Sequence, residues 1–85
     1  MAEIAKEHNL AMHLDGARMA NSCTALGLEL SEMAAPFDSV SICMSKGIGA
    51  PMGSLLLGSE KFIREAWKYR KMIGGGMRQT GVMAA

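Results

Sequence analysis

The sequence predicts an α/β fold, and three observations carry that prediction. Short apolar runs recur at 10–14, 40–44 and 53–58, each bounded by Gly, Pro, Asn, Asp or Ser. Stretches suited to helix flank or separate them, at 2–8, 17–26 and 60–73. The first two runs end on polar turns that hold glycine, Asp15-Gly16 and Ser45-Lys46-Gly47.

Each element has its own reason. Residues 2–8 are rich in Ala, Glu and Lys, which lose little freedom in a helix, and Asn9 stands where a C-cap belongs. The run from Leu10 to Leu14 reads as a buried strand closed by Asp15-Gly16. Residues 17–26 suit a helix stopped by Gly27. Residues 31–35 are too few for more than a turn before Pro36. Val40 to Met44 reads as a second buried strand, broken by Gly47, Gly49 and Pro51. The leucines between Gly53 and Gly58 form a third. Ser59 is a good N-cap for a helix over 60–73, where Phe62, Ala66, Tyr69 and Ile73 recur at helical spacing. Gly74-Gly75-Gly76 ends it, and residues 77–85 read as the start of another helix.

Composition narrows the function classes. Nine Lys and Arg against eight Asp and Glu give a net charge of +1, which offers no bulk charge for nucleic acid or a membrane surface. A hydrophobic content of 49% excludes a disordered chain. Cys23 and Cys43 have neither CxxC nor metal spacing. No apolar run approaches the roughly 18–20 residues of a membrane span, and the charged start, Glu3-Ile4-Ala5-Lys6-Glu7, is unlike a signal peptide. The expectation is a soluble, cytoplasmic piece. Three short strands do not make a sheet that covers itself, so the expectation is an excerpt of a larger domain; a self-sufficient mini-domain is the alternative.

The chemistry concentrates at Asp15 and Lys46. Both follow predicted strands, and functional groups in open α/β sheets gather at the carboxyl ends of strands. A lysine between an apolar strand and a glycine turn is expected to be partly desolvated, which suits a Schiff-base amine. An aspartate at a neighbouring strand end suits the nitrogen of a pyridinium ring. The plainer readings are a turn-forming Asp-Gly and a surface lysine. His13 shares strand parity with Asp15 and reads either as its hydrogen-bond partner or as a satisfied core histidine. Both cysteines read as small buried hydrophobes, and the methionines as core filler.

Three stretches in order carry a resemblance. His13-Leu14-Asp15-Gly16-Ala17-Arg18, then Ser45-Lys46-Gly47-Ile48-Gly49-Ala50-Pro51-Met52-Gly53-Ser54, then Arg70-Lys71-Met72-Ile73-Gly74-Gly75-Gly76-Met77-Arg78-Gln79 together resemble the low-specificity L-threonine aldolases. These belong to the aromatic amino-acid β-eliminating lyase/threonine aldolase family. The resemblance spans nearly the whole chain. It implies the large pyridoxal-phosphate-binding domain of the aspartate-aminotransferase-like fold (fold type I), with residues 1–85 its central portion, an incomplete sheet with flanking helices. The N-terminal part and the C-terminal small domain are expected to be absent.

The same resemblance implies roles. Lys46 matches the lysine that carries pyridoxal 5'-phosphate as a Schiff base, and Asp15 the aspartate at the pyridine nitrogen. Ala17 matches a small residue against the ring face, and Arg18 an arginine that binds the substrate carboxylate near the cofactor. Lys71 and Arg78 match basic residues that reach the active-site region, in one reading across a subunit interface of a homo-oligomer. The implied reaction is retro-aldol cleavage of L-threonine or L-allo-threonine to glycine and acetaldehyde, in threonine catabolism and glycine biosynthesis. The family's phosphate loop, ring-stacking histidine and further carboxylate-binding arginine have no match here. The isolated chain is therefore expected to be inactive. The alternatives are a related β-eliminating lyase and a truncated, non-catalytic product.

Overall fold

The computed structural model describes residues 1–85. Its elements run α1 (Ala2–Glu7), β1 (His13–Asp15), α2 (Met19–Leu26), α3 (Leu30–Ala34), β2 (Ser39–Cys43), β3 (Ser54–Gly58), α4 (Glu60–Met72) and α5 (Gly81–Ala84). The strands form one mixed sheet in the order β1-β2-β3, with β1 parallel to β2 and β2 antiparallel to β3.

The register sorts the two faces. Leu14 pairs with Val40, and Val40 with Leu57, so these share one face with Ile42 and Leu55. Helices α2 and α3 cover that face. Met19, Cys23 and Val40 are buried there, with Leu14, Met33, Ala34, Phe37 and Ile42 packed around them. The opposite face carries His13, Asp15, Ser39, Ser41 and Leu56. Helix α4 packs against the β3 edge, and Ile63, Ala66 and Trp67 line a groove there with Leu56. The result is a small three-layer α/β/α unit.

Side chains and caps explain the element boundaries. Three helices end in the same hydrogen-bond pair, with Asn9, Gly27 and Gly74 left-handed at φ 54°, 67° and 76°. Leu10 N–H donates to Ala5, Leu28 to Cys23 and Gly75 to Arg70, each at 2.8–3.0 Å. This moves the start of the first strand. Leu10 is spent on capping α1, and Met12 N–H donates to Asp38 Oδ2 at 2.7 Å rather than to a ladder. Pairing therefore begins at His13, three residues later than the apolar run suggests. Helix α2 likewise starts at Met19 instead of Ala17, because Ala17 N–H is taken by Asp15 Oδ1. Residues 30–34 form a true helical turn, where a plain turn was expected, because Glu29 and Glu32 close a reciprocal capping box. Residues 77–85 are helical only over α5.

The core is small. Only Ala5, Gly16, Met19, Cys23, Ser39 and Val40 are buried. Leu55, Leu56 and Leu57 are each more than two-fifths exposed, and Trp67, Tyr69, Met72 and Ile73 more than half. On α4, Ile63 and Ala66 are half-buried and the Phe62 ring lies against Gly58, so of the expected stripe Phe62 and Ala66 pack while Tyr69 and Ile73 are exposed. Cys43 is half-buried rather than buried. No helix is long and apolar enough to cross a membrane.

Gly16 is fixed by approach rather than by backbone angle. Its N–H donates to Ser41 O at 2.7 Å, and a Cβ there would stand 2.7 Å from that same oxygen. Because the obstacle is main chain, it cannot rotate away. Gly16→Ala is expected to cost about 1–3 kcal/mol, the usual range for overpacking. Urea unfolding measures it; an unchanged midpoint would contradict the packing described.

Candidate functional site

The site follows from the parallel pairing of β1 and β2. Parallel neighbours end at the same edge of the sheet. Asp15, the last residue of β1, pairs with Ser41, and β2 runs on through Cys43 into the turn that carries Lys46. Asp15 and Lys46 thus stand at one edge, on adjacent strands.

Asp15 is exposed, and its carboxylate is oriented by the backbone. Oδ1 accepts from Ala17 N–H at 3.2 Å, an Asx turn, while Oδ2 has no protein partner. The turn-forming role and a ligand role therefore coexist in one side chain. Ala17 is half-buried beside it. Arg18 is the N-cap residue of α2 and is exposed, its carbonyl accepting from Ser22 N–H.

The Lys46 turn is closed by main-chain hydrogen bonds. Gly49 N–H donates to Lys46 O and Ala50 N–H to Met44 O, both at 2.9 Å. Met44 N–H donates to Gly53 O, so both arms of the loop are tied. Lys46 is exposed, contrary to the partial desolvation expected from its flanks. Cys43 and Met44 before it are only half-buried, and the glycines after it cover nothing. Neither Arg18 nor Lys46 is ion-paired; the salt bridge of this chain joins Glu60 and Arg64 on α4. The edge therefore offers a carboxylate oxygen, an amine and a guanidinium, all without protein partners.

Lys71 and Arg78 lie apart from this cluster in the chain. Lys71 is in the last turn of α4, in a groove with Trp67, Lys68, Arg70, Gly74 and Gly76. There the Arg70 guanidinium stacks 4.7 Å from the centre of the Trp67 ring. Because Trp67 and Arg70 line a groove with Ser54, which pairs with Cys43, α4 ends near the edge where β2 ends. Arg78 follows the glycines and is exposed. Neither residue hydrogen-bonds to Asp15, Arg18 or Lys46.

His13 meets neither expectation for it. It is exposed, and its Nδ1 lies 2.8 Å from Ser39 Oγ, its register partner on β2. Two further residues frame the β1–β2 pair, one at each end of it. Asp38 ties the start of β2 to Met12 through both its carboxylate and its N–H. Asn21, on α2, meets Gly47 directly after Lys46. The sequence signals Asn21 only by its spacing of three from Arg18, which puts both on one side of a helix.

Comparison with known proteins places the chain and its fold. The chain is 54% identical over 85 residues to a "Probable low-specificity L-threonine aldolase 2" of Arabidopsis thaliana, covering all of this chain and 24% of that protein. It is 53% identical over 83 residues to a low specificity L-threonine aldolase of Escherichia coli strain K12, covering 98% of this chain and 25% of that one. The chain thus spans about a quarter of the length of these relatives. A crystal structure described as a "putative L-allo-threonine aldolase" from Listeria monocytogenes superposes with a TM-score of 0.82 at 34% identity, over 86% of this chain and 20% of that one. The family model for the beta-eliminating lyases matches residues 1–85, the whole chain, and the chain belongs to that family.

Proposed function

We propose that this chain is the central part of the cofactor-binding domain of a pyridoxal-phosphate-dependent aldolase. The enzyme cleaves threonine or allo-threonine, β-hydroxy amino acids, to glycine and acetaldehyde. One observation carries the reading. Asp15 and Lys46 stand at the carboxyl ends of adjacent parallel strands, in a chain about half identical to low-specificity L-threonine aldolases.

The residues present fit the cofactor. Its aldehyde needs an amine, its ring nitrogen a carboxylate and its ring face a small neighbour. Lys46, Asp15 and Ala17 are of those kinds, and the Lys46 amine and Asp15 Oδ2 are unengaged. When bound, pyridoxal phosphate supplies a conjugated ring that accepts the electron pair released at the substrate Cα.

The chain's own residues do the rest. Lys46 would hold the cofactor through its amine. Asp15 holds a proton at the ring nitrogen with Oδ2, while the Asx turn through Oδ1 keeps the carboxylate from rotating away. Arg18 binds the substrate carboxylate by two parallel N–H donations, which limits rotation about Cα and so selects the bond that breaks. No residue of the cluster is placed as a base for the β-hydroxyl proton. Lys71 and Arg78 reach the active-site region of a neighbouring subunit in a homo-oligomer and bind substrate there; that both are exposed supports this. The reaction belongs to threonine catabolism and glycine formation in the cytoplasm.

A second reading has one observation in its favour. The matching family is described by β-elimination, a reaction of the same cofactor on amino acids such as tyrosine or tryptophan. A substrate screen separates the two. Glycine release from L-allo-threonine or L-threonine supports the aldolase, and pyruvate from the aromatic substrates supports the eliminating enzyme.

Three variants of the complete protein test the assignments. Borohydride reduction with pyridoxal phosphate should fix the cofactor on the Lys46 peptide. Lys46→Ala should abolish that labelling and lower turnover roughly 1000-fold or more; labelling on another peptide would overturn the assignment. Asp15→Asn keeps an oxygen for Ala17 N–H, so thermal stability should hold while kcat falls on the order of 100-fold or more. Arg18→Lys should raise KM about tenfold through loss of the planar two-point contact; an unchanged KM would remove Arg18 from the substrate site.

A further inference from the structure

We propose that Asn21 is a positioning residue for the Lys46 amine, its carboxamide seated on Gly47 to hold the lysine turn against α2. The proposal rests on the reading of Lys46 as the cofactor lysine.

The contact is specific. A Cβ on Gly47 would fall 1.9 Å from Asn21 Oδ1 and 3.0 Å from its Cγ. Gly47 does not adopt a positive φ, unlike Gly49 and Gly53 in the same loop. Its lack of a side chain is therefore explained by the space the Asn21 carboxamide fills, and not by backbone conformation. Nothing else supports the turn from this side. No side chain hydrogen-bonds to residues 45–50, and residues 45–49 are exposed. The cleft beside Gly47 is otherwise lined by Ala20, Thr24 and Ala25, all short. The main-chain bonds close the turn on itself but do not fix its tilt relative to α2. Asn21 does, and Arg18 is the N-cap residue of the same helix. One side chain thus relates the carboxylate-binding and cofactor-binding positions, a distance on which small errors weigh heavily.

Asn21 is exposed on a helix, where alanine is the better helix former, so Asn21→Ala is expected to fold. Gly47→Ala displaces the same carboxamide from the other side. In the complete protein, with pyridoxal phosphate and borohydride as the probe, each substitution should slow labelling of the Lys46 peptide roughly tenfold. Each should also lower kcat by a similar factor, with KM within about twofold. The double variant should be no worse than Gly47→Ala alone, since both remove one contact. In the cofactor-free protein, amide exchange at Gly49 and Ala50 should quicken in Asn21→Ala. Wild-type labelling rates in Asn21→Ala, or fully additive losses in the double variant, would overturn the proposal and leave the Lys46 assignment standing. Failure of the wild-type protein to label at Lys46 would overturn both.

Discussion

The parallel pairing of β1 with β2 is the constraint on which the site depends. Only three register pairs make it, His13 with Ser39, Leu14 with Val40 and Asp15 with Ser41. So short a ladder needs reinforcement, and polar groups supply it at both ends. Asp38 clamps Met12 at the entry, His13 meets Ser39 across the strands, and Gly16 donates to Ser41 at the exit. A slip of one residue would send Asp15 to the face that holds Met19 and Cys23, burying a carboxylate among apolar side chains. The clamps that set the register are thus also what keep the carboxylate available.

Much of this was legible in the residues. Asp15-Gly16 and the Lys46 turn marked strand ends because apolar runs stop there, and strand ends are where α/β folds place chemistry. Gly27, Asn9 and Ser59 marked helix ends for reasons that are local to the chain. What could not be read depended on partners distant in sequence. The shortened β1 follows from Asp38, twenty-six residues away. The exposed Lys46 depends on what covers its turn, which flanking residues do not decide. The stripe on α4 was half right: Phe62 and Ala66 pack as expected, while Tyr69 and Ile73 are exposed because the three-stranded sheet ends before it can cover them. The Glu29–Glu32 capping box was missed because glutamate is an uncommon N-cap.

Energetically the unit is lean. Six buried residues remove little apolar surface from water, whereas β3 and α4 leave broad leucine and aromatic surface in contact with it. Local hydrogen bonding carries a large share of the order: three Schellman caps, a capping box, the Ser59 cap of α4 and the Asx turn at Asp15. These devices define where the chain turns, which is the requirement for a site built from turns.

The antiparallel return of β3 has a consequence for the lysine. Two parallel strands need a crossover of a dozen residues or more between them, commonly a helix. Here residues 44–53 carry the chain back from β2 to β3, so Lys46 sits on a loop whose feet are tied by Met44 N–H donating to Gly53 O. Tying the feet of a loop lowers the conformational freedom that is left for a small molecule to remove. That tie exists before any ligand does.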